Sequence, residues 1–142
     1  MRTHMTFRHP AEFVPLSDVD GVLAARGSEW FGALLRRVPD LVIDEDLCQE
    51  DWGVVFRARR GRKKFWIGLS AWDGGVWLAH VHHGSFAWLQ RFSPSGAGEL
   101  KRLVADVHEV VASEAAISEI VWYEEREMSN PRPASFPTPA DG

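Results

Sequence analysis

The sequence predicts an α+β domain, with an antiparallel meander sheet of four to six strands and two helices packed on one face. Three observations carry this prediction. Residues 51–92 alternate apolar and polar positions in short runs, broken by Arg60-Gly61-Arg62, Asp73-Gly74-Gly75 and His83-Gly84-Ser85. Such runs between turn residues are the mark of hairpins joined in series. Two flanking stretches instead repeat apolar residues at the spacing of a helix face. A last alternating run, residues 117–123, follows the second of these.

The chain begins with residues 1–27, which mix Pro10, Pro15, Gly21 and Gly27 with scattered apolar groups. They show no sustained period and are expected as an extended arm along the core. The folded domain is expected over residues 28–128. Ser28 is suited to cap a helix, and Glu29 suits its first turn. Phe31, Leu34, Leu35 and Val38 then mark one buried stripe, which Pro39 ends by pushing Val38 out of helical geometry.

Leu41, Val42 and Ile43 suit a brief strand. The following DEDLCQED carries Asp44, Glu45, Asp46, Glu50 and Asp51 within eight positions, so mutual repulsion predicts a solvated loop. Trp52, Val54, Phe56 and Ala58 alternate with polar or small residues as the first meander strand. Phe65, Ile67 and Leu69 point one way in the second, with Trp66 on the other side. Residues 76–82 make a third strand and residues 86–92 a fourth.

Ser93-Pro94 opens the second helix, where proline is tolerated. Leu100, Leu103, Val104, Val107, Val110 and Val111 form its apolar stripe, opposite Lys101, Arg102, Asp106 and Glu109. Residues 129–142, SNPRPASFPTPADG, carry four prolines among small polar groups and are expected as a disordered or surface-draped tail.

At 142 residues the chain is one domain by size, with 45% hydrophobic and 25% charged residues, as in ordinary globular proteins. The net charge of −4 argues against a general nucleic-acid binder. Cys48 is alone, which excludes an internal disulfide and suits a reducing compartment. No apolar run has the length of a bilayer span, and the first residues lack the apolar core of a secretory signal. A cytoplasmic protein with no membrane contact is the expectation.

His80, His82 and His83 form an H-x-H-H cluster. On a strand His80 and His82 share a face, which suits two imidazole ligands for zinc. A third ligand is looked for in His83, His108 or a carboxylate; the competing reading is a polar strand face with no cofactor. Cys48 has acidic neighbours that disfavour a thiolate, so no thiol chemistry is expected. The glycines match no phosphate-binding loop.

Arg57, Arg59, Arg60, Arg62, Lys63 and Lys64 make a basic hairpin beside Trp66. Charge next to an aromatic face is the composition of single-strand binders, but the acidic loop opposes it, and a solvated hairpin tip is the simpler reading. Trp66, Trp72, Trp77 and Trp88 are too many for one covered face. They are therefore expected to form a protein-binding surface, the competing reading being that the N-terminal arm or the proline-rich tail covers that face. The same face would also serve a homodimer.

In size, acidity and element order, residues 28–127 resemble small bacterial toxin-immunity proteins. That resemblance implies a non-catalytic role, with Asp44, Asp46, Glu50 and Asp51 covering a basic toxin cleft through opposite charge. The alternative from another class is a small metal-dependent or ligand-binding enzyme using His80 and His82.

Overall fold

The computed structural model describes residues 1–9, 20–44, 47–50, 52–72, 75–84 and 94–140, with the side chains of 20–26, 49 and 94–96 left aside. Seven strands are described: β1 (Arg2–Arg8), β2 (Val42–Ile43), β3 (Cys48–Glu50), β4 (Gly53–Arg60), β5 (Lys63–Ala71), β6 (Trp77–His83) and β7 (Ser118–Glu124). Two helices accompany them, α1 (Asp20–Leu35) and α2 (Pro94–Ala112). The sheet runs β2-β4-β5-β6-β1-β7, with β3 also pairing β4, and every pairing is antiparallel. This is the α+β architecture that the alternation and the helix spacing predict.

The meander β4-β5-β6 follows from local chemistry. Arg60 pairs with Lys63, so only Gly61 and Arg62 turn the chain. Gly61 has φ +60° at the first of those two positions, where a tight hairpin needs a residue without a Cβ. Period-two alternation then sends Val54, Phe56, Ala58, Phe65, Ile67, Leu69, Trp77, Ala79 and Val81 into one core. Phe31, Leu34, Leu35 and Val38 meet it from the first helix and its exit turn; Leu100, Leu103, Val104, Val107 and Val111 meet it from α2.

The first residues differ from the extended arm foreseen for them. Within the expected arm, Arg2–Arg8 is an inner strand, seated between β6 and β7. Its first six residues are buried, because both edges are paired and both faces are covered. Helix α1 starts at Asp20 rather than at Ser28, which is buried within it. Gly27 explains the close approach there: a Cβ would stand 2.7 Å from the Trp77 ring. Residues 130–140 run beside β7, where Phe136 and Trp122 exchange two backbone hydrogen bonds of 2.7 and 3.0 Å. The Arg2 guanidinium lies 3.3 Å over the Phe136 ring and donates to the Thr138 and Ala140 carbonyls. The expected strand over residues 86–92 lies outside the described residues.

Candidate metal centre

Pairing registers decide which side chains share the face turned away from the helices. His4 is opposite His80 across β1 and β6, and Gly68 is opposite His80 across β5 and β6. Trp66 is opposite His82 in the neighbouring row. Directly opposed residues point to the same side of a sheet, as do residues two apart along a strand. His4, His80 and His82 therefore project from one side, with Gly68 leaving space beneath them.

The three imidazoles converge. One ring nitrogen from each lies within 4.8 Å of the others. The His4 and His80 rings stack at 5.5 Å, and His82 stands 4.8 Å from His80 and edge-on to His4 at 5.4 Å. A tetrahedral ion with Zn–N bonds near 2.0–2.1 Å needs ligand nitrogens about 3.3 Å apart. Binding an ion would draw the three nitrogens closer than the 4.8 Å that bounds their spacing. Of the three, His82 lines a cavity of about 510 Å³, together with Trp66, Thr3, His83, Leu100 and Glu125.

The surroundings favour neutral imidazoles, the form that can ligate. Burial pushes the His4 pKa down to about 4, helped by the charge of His82 and opposed by Glu125. Burial pushes His80 down to about 3, with His82 and His4 adding repulsion. His80 Nδ1 is buried and has no hydrogen-bond partner among the described residues. A buried polar atom left unpaired costs about 1–3 kcal/mol, which a metal bond would offset. His4 has Thr3 Oγ1 at 3.1 Å from Nδ1, so the tautomer protonated there donates to Thr3 and presents Nε2. Trp52 packs on His80 at 5.0 Å and shields it from one side.

Gly68 is the cradle. A Cβ built on it would lie 2.2 Å from both Cε1 and Nε2 of His80. Any larger residue would evict the ring from the position that faces His4.

The third imidazole beside His80 and His82 differs from those foreseen as ligands. His83 points to the opposite face, buried and stacked near Phe65 at 5.9 Å. His108 accepts the Trp122 Nε1–H at 3.0 Å on α2. His4 takes the place instead. Sequence spacing gives no sign of it, because only the β1–β6 pairing brings it near.

The other expected site residues separate. Trp77 is 0% exposed in the core and cannot meet a partner, since its strand position falls on the helix-facing side. Trp66 and Trp72 are 47% and 45% exposed, joined by Trp52 at 41%. Asp44 and Glu50 are exposed, and Asp44 lies 3.8 Å from Arg57. Asp46, Asp51 and Trp88 lie outside the described residues. No helix among the described residues is long and apolar enough to cross a membrane. No family model, curated protein or solved structure matches the chain.

Proposed function

We propose that this domain binds a divalent transition-metal ion through His4, His80 and His82. The observation that carries the reading is the convergence of three imidazole nitrogens within 4.8 Å on one sheet face. Neutral nitrogen donors suit zinc, copper, nickel or cobalt, whereas calcium and magnesium need oxygen. Three protein ligands leave a fourth position for water or a further ligand. A metal-dependent enzyme is thus the form of the reading closest to catalysis.

Isothermal titration of zinc into chelator-stripped protein tests it. One ion per chain is expected, with the heat lost in His82→Ala, a partly exposed position whose change leaves the core intact. Absence of stoichiometric binding in the native chain, or unchanged binding in His82→Ala, would overturn the reading.

A second reading rests on the exposure of Trp52, Trp66 and Trp72. Exposed indoles beside Asp44 and Glu50 suit protein docking, including the toxin-blocking role that the resemblance implies. It predicts a partner retained from native lysate by the wild type and released by Trp66→Ala with Trp72→Ala.

A further inference from the structure

The basic hairpin holds an arrangement that the histidine site does not use. In the β4–β5 register Arg57 is opposite Trp66, and Arg59 is opposite Lys64. These four residues therefore occupy one patch on the face that carries the histidines, and all four are exposed. Two cations directly opposed across a ladder repel each other and destabilise the pair. Arg60, on the other face, relieves its charge with Asp106 at 2.6 Å. Arg59 and Lys64 have no such carboxylate among the described residues; the nearest relief is Asp44, held loosely by Arg57 at 3.8 Å. A cavity of about 300 Å³ is lined by Asp44, Arg57, Arg59, Lys64 and Trp66.

We infer that this patch binds a nucleotide unit, with its phosphate among Arg57, Arg59 and Lys64 and its base stacked on Trp66. Guanidinium groups match phosphate oxygens in pairs, and an ammonium adds a point charge. An indole with nearly half its surface open offers the flat platform that bases stack on. The phosphate would supply the negative charge that the opposed pair lacks. The chain's net charge of −4 acts mainly beyond a Debye length of about 10 Å; within the cavity Asp44 stands against Arg57, Arg59 and Lys64, a balance that stays positive.

The inference does not depend on a bound ion, so the test uses chelator-treated protein. A fluorescein-labelled oligothymidine is followed by anisotropy and ATP by calorimetry, both at low salt. Affinity should fall with added salt and drop about tenfold in Trp66→Ala, with Trp66→Phe recovering part of it. Arg59→Ser with Lys64→Ser should flatten the salt dependence. Binding of the oligonucleotide alone assigns the unit to a single strand, and binding of ATP assigns it to a free nucleotide. If neither probe binds, or if these variants bind as the wild type does, the inference falls. The Arg59→Ser, Lys64→Ser variant should still bind zinc as the wild type does, because neither residue belongs to the histidine cluster, which separates the failure of this inference from that of the metal reading.

Discussion

His4 and His80 face each other across the β1–β6 ladder with rings stacked at 5.5 Å and 22°. One belongs to the first strand and the other to the sixth, so the contact exists only when the sheet is closed. Two imidazoles that close cannot both be protonated without repulsion, and burial disfavours charge on either.

Stability should therefore fall in mild acid. Both folded pKa values are depressed, to about 4 and about 3, below the ordinary histidine value of 6.5. Between those values and 6.5 the unfolded chain binds more protons, so the stabilisation is full above pH 6.5 and is lost as pH falls through 4 and on to 3. Urea unfolding at pH 7 and pH 4.5 should differ by about 2 kcal/mol or more, from a linkage of about 1.4 kcal/mol per pKa unit. In His80→Phe the difference should shrink. Equal stability at the two pH values would contradict the buried neutral pair.

Gly68→Ala should disturb the metal site and the fold together. The new Cβ would sit 2.2 Å from the His80 ring. Overpacking of this kind costs about 1–3 kcal/mol, and the displaced ring no longer faces His4. Chemical denaturation and zinc calorimetry on the same sample should both register the change.

Thr3→Val should leave the fold nearly unaltered but weaken zinc binding. Thr3 Oγ1 is the partner that orients the His4 ring, at 3.1 Å. Losing such a partner lowers metal affinity about 10–100-fold. The effect belongs in the dissociation constant, with stoichiometry still one ion per chain.

Two tryptophans should respond in opposite ways to truncation. Trp77 is fully buried, so Trp77→Ala should cost about 3–5 kcal/mol in urea unfolding. Trp66 is 47% exposed, so Trp66→Ala should shift stability by less than about 1 kcal/mol. A large loss from Trp66→Ala would mean that another segment covers that face.

The opposite faces assigned to Trp66 and to Phe65, Ile67 and Leu69 needed nothing beyond strand alternation. The same holds for the shared face of His80 and His82, and for the buried stripe of α2, because neighbours two or four apart are fixed by local geometry. Trp77 was misread as a surface residue, since alternation tells which residues share a face but not which face is covered. The inner strand β1 and the third histidine of the cluster were illegible for a related reason: β1 carries ordinary strand residues among charges, and no periodicity announces its partner.

By itself, then, the sequence determined the hairpins, the helix stripes, the paired histidines on β6 and the basic turn beside Trp66, all consequences of contacts near in the chain. Tertiary structure alone decided that His4 joins His80, that Gly68 makes their room, and that Arg59 and Lys64 stand opposed with little relief. Pairing between distant strands depends on which packing buries the most apolar surface, and that is a property of the whole core rather than of any one segment.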